Sequence, residues 1–379
     1  MEIYFDNSAT TPIHPDILEY LKLHLSQYYG NPSSIHKQGL LANEEVQVAR
    51  HKVAQLLNVN SDEIYFTNSG TFANNLSLLG RARFIDANNL GRHIITSTIE
   101  HPSVLNVIKY LEGKNFSVTY IRPSKNGIIS CDDVFDNLTD ETSIVSLMWA
   151  NNEIGSIQPI NEIAKVLNAK NIFFHCDAIQ VPGKLAIDLQ SIPVSTLSIS
   201  GHKFHGPKGI GALFIHKGIN IMPITFGGGQ ESGLNPGTHA VDSIITMGLA
   251  SELALKNLID NESHLRRLQS FLLNELDNHP QIQITGPSDI NSRLPGHISF
   301  ATNIIEAEAL VNLASLQGLY LSSGSACKAG IKEPSYVIKS LGLSNDYASG
   351  AIRISLSQFN SIDECEVAIK ILKKILQKK

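Results

Sequence analysis

The sequence predicts an α/β protein, with a large unit on a mixed, mostly parallel seven-stranded sheet and a smaller α+β unit after it. Two patterns carry that reading. From about residue 60 to 215, short β-rich runs alternate with helical stretches. The runs are nearly continuous in apolar residues, as strands are when helices cover both faces of a parallel sheet. Past residue 278 a second, shorter series of strands and helices begins.

The first runs are "EIYF", "HIITST", "SVTYI", "SIVSLMWA" and "NIFFHCDA", with helical patterns such as "TFANNLSLLGRAR", "PSVLNVIKYLEG" and "INEIAKVLNAK" between several of them. "STLSIS" and "GALFIH" follow with only a glycine loop between them, which departs from the strand–helix rhythm. Residues 246–278 read as one long amphipathic helical pattern, ended by His-Pro, that connects the two units. "QIQIT", "GHISFAT", "LYLSS" and "AIRISLS" then interleave with "AEALVNLASLQ", "PSYVIKSLG" and a C-terminal helix.

The 379 residues carry 30 basic and 35 acidic side chains, a net charge of −5, which offers no basic footprint for direct nucleic-acid binding. With 42% hydrophobic and 17% charged residues the chain is that of a compact globular enzyme. "MEIYFDNSAT" has no basic n-region, and no apolar run approaches the ~18 residues that span a bilayer. We therefore expect a cytoplasmic protein with no membrane contact. Cys131, Cys176, Cys327 and Cys365 lie far apart without a CxxC pair, which argues against a disulfide framework and a cysteine-rich zinc site. Cys131, Cys176 and Cys365 read as packed or incidental thiols.

In such a sheet, ligands gather at loops beyond the carboxyl ends of the strands. After "EIYF", Gly70 and Thr71 open a helix and can cradle a phosphate, or merely form an N-capping turn. His101 follows "HIITST", either as a cap or in a functional role, and Asn152 follows "SIVSLMWA" in a turn. Asp177 ends an all-apolar strand, with Gln180 just beyond; a carboxylate there needs a partner. "SISGHKFHGPKGIGA" then supplies Ser200, His202, Lys203 and Lys208, without the spacing of a dinucleotide or GxxxxGK[ST] loop. A metal held by His175, Asp177, His202 and His205 is disfavoured, because HxxH in a glycine loop is not a ligand spacing. Phosphate donors, a histidine, an acid and a lysine at strand ends together describe a pocket for pyridoxal 5′-phosphate, with the acid on the pyridine nitrogen and the lysine on the aldehyde.

The same residues carry a resemblance. "YFDNSATTP", "YGNPSSIH", "NNEIGSIQPI", "HCDAIQVPGKLAID", "SISGHKFHGPKGIGA", "GGGQESG", "SSGSAC" and "AIRISLS" resemble the cysteine desulfurases of the NifS/IscS type, class V aminotransferases of the pyridoxal-phosphate-dependent transferase fold type I. The match runs in order over nearly the whole chain. It implies a large cofactor-binding domain over 15–250. A small domain of 1–14 and 251–379 would carry the cysteine loop (322–331) and the substrate arginine. It further implies that Lys203 holds the cofactor, with Lys208 structural. Asp177 would meet the pyridine nitrogen, Gln180 the phenolic oxygen, and His101 the ring face. Gly70, Thr71, Ser200 and His202 would bind the phosphate, joined by Thr238 from the other subunit of a homodimer. Asn152 and Arg353 would hold the substrate carboxylate, for which an arginine fork is suited. Cys327, beside Lys328 in a loop of small residues, would take the sulfur of L-cysteine as a persulfide, leaving L-alanine. The sulfur would pass to an acceptor protein, an iron–sulfur scaffold or a tRNA-thiolation protein. Selenocysteine lyase, a cysteine C–S lyase and a catalytically silent binding protein of the same fold are the alternatives. Three positions depart from the family pattern: Phe72 stands where glutamate is usual after the phosphate-loop threonine, and Ser232 and Asn235 replace two arginines of "ERGxRSGT".

Overall fold

The computed structural model describes residues 2–324 and 334–377. β1 (Ile3–Tyr4), α1 (Pro15–His24) and α2 (Lys37–Leu57) open the chain. A seven-stranded sheet follows from β2 (Ile64–Thr67), β3 (His93–Ser97), β4 (Ser117–Ile121), β5 (Thr142–Met148), β6 (Phe173–Asp177), β7 (Thr196–Ser200) and β8 (Gly211–Ile215). Its intervening helices are α3 (Gly70–Asn88), α4 (Pro102–Glu112), α5 (Cys131–Asp136) and α6 (Ile160–Ala169). The strand order is β2-β8-β7-β6-β5-β3-β4. Only β8 opposes its neighbours, pairing antiparallel with both β2 and β7. The expected strands all form, and the departure in rhythm has a physical cause. The glycine loop before β8 is shorter than the roughly dozen residues a parallel crossover needs.

α7 (Val241–Lys256) and α8 (Leu258–Asp277) replace the single long helix expected over 246–278. The break at Asn257 follows from two separate cores. Ile244, Met247 and Ala250 of α7 join the core of the seven-stranded unit, whereas Leu265, Leu268 and Leu272 of α8 join a second core. α7 lies so close to α2 that a Cβ on Gly248 would sit 2.7 Å from the Ala49 Cα, so glycine is required at that crossing. The second core lies among β9 (Gln283–Ile284), β10 (His297–Ala301), α9 (Ala307–Ser315), β11 (Leu319–Tyr320), β12 (Ser322–Ser323), β13 (Ala351–Ser355) and α12 (Ile362–Leu376), while α10 (Tyr336–Ser340) and α11 (Asn345–Ser349) pack Val337, Ile338 and Ala348 against Ile99, Met148 and Ile154. Here β12, β13, β10 and β9 form an antiparallel sheet, and β1 returns to pair with β11. α12 starts with a reciprocal capping box, Ser361 with Glu364. No helix among the described residues is long and apolar enough to cross a membrane.

The two cores meet along the segment after β5. The backbone of Ile157 donates to Ser292 and that of Leu294 to Gly155, while the His297 ring reaches the Glu153 carbonyl. At the centre lies Arg293, fully buried, its guanidinium donating to the carbonyls of Thr285, Pro287 and Ile154. Burial lowers its pKa to about 10, which still leaves it a cation at neutral pH. Replacing it strands three carbonyls at roughly 1–3 kcal/mol each. Arg293→Leu should therefore lower the unfolding free energy by about 3 kcal/mol or more in a urea titration. A change below about 1 kcal/mol would show that the joint does not depend on it.

Candidate active site

The carboxyl ends of β6 and β7 are adjacent, with Asp177 and Ser198 in register, and so bring an acid and a lysine to one edge. Asp177, the last residue of β6, is buried. One of its oxygens accepts from the Ile179 backbone (3.0 Å) and the other from Asn74 Nδ2 (2.8 Å). No cation pairs with this carboxylate among the described residues.

Past the end of β7, a 3-10 turn over Gly201–Lys203 turns the lysine away from the strand. Lys203 Nζ donates to the carbonyls of Ser8 (2.6 Å) and Ala9 (2.9 Å), in the "DNSAT" segment that follows β1. Gln180 reaches the same place: its Nε2 donates to the Ser8 carbonyl, and its Oε1 is buried with no partner among the described residues. Lys208 is exposed.

Gly70 begins α3, capped by Ser69, and leaves the free N–H groups of a helix start at the same edge. A Cβ there would lie 2.5 Å from Ile179 Cδ1 and 3.1 Å from Ser200 Cβ, so glycine is required and Gly70 and Ser200 are neighbours. Thr71 is exposed beside it. His202 shares a hydrogen bond with Thr10 Oγ1, and burial, with Lys203 and Lys208 adding, lowers its pKa to about 4. It is neutral at physiological pH.

His101 caps α4, with Pro102 in the first turn. Its Nδ1 accepts from the Ser103 backbone and lies 2.8 Å from Ser103 Oγ, so the ring proton sits on Nε2. Burial lowers its pKa below the ordinary histidine value, with Asp177 working against the shift and Lys203 with it. An open cleft of roughly 500 Å³ between α3 and α4 has His101, Ser103, Thr71 and Asn75 on its wall. The preceding Glu100 is fully buried and pushed up to about 8 by burial, so it carries its proton at neutral pH.

Arg353 comes from β13 in the second sheet. It donates through Nη1 to the Asn152 carbonyl (3.0 Å) and through Nη2 to Asp6 (2.7 Å), while its Nε is buried without a partner among the described residues. Asn152 therefore meets Arg353 through its backbone. Cys327 lies outside the described residues. Cys131 is half-buried and Cys176 and Cys365 are buried, all three as free thiols.

Thr238 is exposed on a segment tied to β2 by Glu231. Arg50 grips that carboxylate with both Nη atoms (2.8 and 2.7 Å), and His239 Nε2 (2.7 Å) and the Phe66 backbone (2.8 Å) complete its set. Asn235 donates to the Phe66 carbonyl, while Ser232 sits exposed with φ +55°. Phe72 packs against the apolar cluster of Leu76, Leu213 and Ile215.

Sequence reasoning missed Asp6, Ser8, Asn74 and Ser103. Asp6 and Ser8 lay in "YFDNSATTP", a motif quoted whole without roles for its members. Nothing in "FANNLSLL" distinguishes Asn74 from an ordinary helical residue, since its partners come from other elements.

The family model "Aminotransferase class-V" matches residues 3–367. "Cysteine desulfurase IscS" of Clostridium botulinum (strain Kyoto / Type A2) is 38% identical over 380 residues, covering 100% of this chain and 95% of its own. "Cysteine desulfurase IscS" of Methanosarcina thermophila is 38% identical, covering 99% and 92%. A solved "NIFS-LIKE PROTEIN" superposes with a TM-score of 0.92 at 36% identity, covering 99% of each chain.

Glu231 yields a pH prediction. Burial alone would raise its carboxyl, but the hydrogen bonds from Arg50 and His239, the Arg50 charge and the Phe66 amide together hold it at about 2. A depressed carboxyl stabilises the fold above its unfolded value, and that stability is lost as pH falls toward the folded one. Stability should thus drop by about 3 kcal/mol between roughly pH 5 and pH 2, measured by urea unfolding. In Glu231→Gln that portion should be absent and the profile flatter; an unchanged slope would show that another group sets it.

Proposed function

The chain belongs to the class-V aminotransferase family, and we propose that it is an L-cysteine desulfurase that works with pyridoxal 5′-phosphate. The observation that carries this reading is the Asp177 carboxylate, buried at the end of β6 next to the strand that leads to Lys203, with no cation pairing it among the described residues. A buried carboxylate costs several kcal/mol unless paired, and a protonated pyridine nitrogen is the partner that suits it. Other features support the cofactor too. Gln180 Oε1 is buried and unsatisfied among the described residues, and the N–H groups at the start of α3 open beside Ser200 as a place for a phosphate.

When bound, the cofactor supplies an electron sink for the pair released from the substrate's Cα–H bond. Lys203 would hold its aldehyde, and its amine would be the base that moves the substrate Cα proton. His101, neutral with its proton on Nε2, would face the bound cofactor and could donate from that nitrogen. Arg353 takes the substrate carboxylate: its buried Nε lacks a partner among the described residues and its Nη2 is held by Asp6, which an incoming carboxylate would displace. Asn152 supports it through the backbone carbonyl. The Cys327 thiolate attacks the substrate sulfur. An S–S bond forms as the Cβ–S bond breaks, Cβ takes up a proton, and alanine leaves with the enzyme as persulfide. Atoms balance without an added oxidant: cysteine plus enzyme thiol gives alanine plus enzyme persulfide.

The finer parts of the reading are a cytoplasmic homodimer, with Thr238 completing the partner's phosphate site, and passage of sulfur to an iron–sulfur scaffold or a tRNA-thiolation protein. The free thiols at Cys131, Cys176 and Cys365 support a reducing compartment.

The test is a product assay with L-cysteine and a thiol reductant on the cofactor-loaded protein. Equimolar alanine and sulfide are expected. Cys327→Ala should lower both by roughly 10²-fold or more while leaving the visible cofactor band in place. Pyruvate and ammonia, undiminished in the variant, would instead make the protein a C–S lyase. Alanine from selenocysteine alone would make it a selenocysteine lyase.

A further inference from the structure

Behind the strand ends runs a buried polar network that the proposed chemistry does not use directly. Asn74, fully buried on α3, stands at its branch point. One N–H of its amide goes to Asp177 (2.8 Å) and the other to Ser103 Oγ (2.9 Å). The amide orientation is not arbitrary, because the Asp177 carboxylate can only accept. Oδ1 must therefore face His175 Nε2 (3.0 Å), which places the His175 proton there. His175 Nδ1 then accepts from Thr196 Oγ1 (3.0 Å), and Thr196 in turn accepts from Ser77 of α3 (2.7 Å). Burial lowers the His175 pKa to about 3, consistent with a neutral ring in this chain of bonds.

On the other branch, Ser103 Oγ accepts from Asn74 and spends its one proton on His101 Nδ1 (2.8 Å). The same nitrogen accepts from the Ser103 backbone. Two donors thus hold His101 Nδ1 unprotonated, and one of them is oriented by Asn74.

We propose that Asn74 is a positioning residue that couples the two sides of the cofactor site, fixing the Asp177 carboxylate with one amide proton and, through Ser103, the His101 tautomer with the other. This rests on the proposed function. A single amide makes the two groups interdependent: rotating it to favour one bond breaks the other and leaves the His175 proton facing a donor. The charged groups facing His101 and Asp177 are Lys203 and, when ionised, Glu100.

The test uses Asn74→Leu, which keeps volume but removes all three bonds, and Ser103→Ala, which cuts only the His101 branch. Two readouts apply: the dissociation constant for pyridoxal 5′-phosphate and the pH at which the bound cofactor's visible band shifts. Asn74→Leu should weaken cofactor binding roughly tenfold or more and move the band titration. Ser103→Ala should leave cofactor binding within about twofold of wild type. It should also move the acid limb of the pH–kcat profile upward, because a neutral His101 that loses a donor at Nδ1 is protonated more readily. Wild-type binding and band titration in a folded Asn74→Leu would overturn the inference. If that variant does not fold, Ser103→Ala decides alone, and an unmoved profile overturns it. If the wild type neither binds the cofactor nor makes alanine, the proposed function falls and this inference with it. If it does both and only the variants are silent, the inference alone falls.

Discussion

A carboxylate placed in the interior without a cation costs several kcal/mol, and the architecture around Asp177 is arranged to bear that cost. β6 is buried along its whole length, so nothing on the strand itself can solvate the acid at its end. Its oxygens are met by a backbone N–H and by an amide from α3. That amide must be held in turn, which explains a histidine in the apolar strand "FFHCD" and a threonine and a serine beside it. Asp177, Asn74, Ser103, His101, His175, Thr196 and Ser77 thus form one connected set of hydrogen bonds. Asp177 is thereby held at the end of β6, next to β7, past whose end Lys203 lies.

That place is made by both cores together. Asp177, Lys203, His101 and Gly70 come from the seven-stranded unit, while Arg353 comes from the second sheet. Ser8 and Ala9, which hold Lys203, follow β1, and β1 pairs with β11 in the second core. A slip between the cores would move the arginine and the lysine's carbonyl partners relative to the acid. The segment from Asn151 to Ile157 opposes such a slip through backbone bonds to residues 292 and 294, the His297 contact and the buried Arg293. Asn152, within that segment, also takes the Arg353 guanidinium, so one loop positions the units and touches the proposed substrate site.

Much of this was legible in the sequence because it is local. Apolar runs with helices between them gave the sheet, and a helix-free glycine loop marked where it turns antiparallel. Asp177, Gly70 and Lys203 announce themselves as polar, glycine or basic residues at strand ends. The misreading of 246–278 as one helix has the same origin. Periodicity registers an apolar stripe but not that its two halves serve different cores, which forces the break at Asn257. Asn74 and Asp6 were invisible for a related reason: their meaning lies in partners 103 and 347 positions away.

The departures from the family pattern follow the same logic of local compensation. Phe72 packs on the apolar cluster of Leu76, Leu213 and Ile215. Asn235 binds the carbonyl of Phe66, and Glu231 binds the amide of that same residue, so the segment bearing Thr238 is secured to β2 from both sides of one peptide unit. With Arg50 and His239 on its carboxylate, Glu231 has enough donors to sit buried in a left-handed backbone conformation that disfavours a side chain. The two lost arginines therefore leave this segment anchored. Of the two positions, Asn235 turns inward to β2 and Ser232 alone stands exposed.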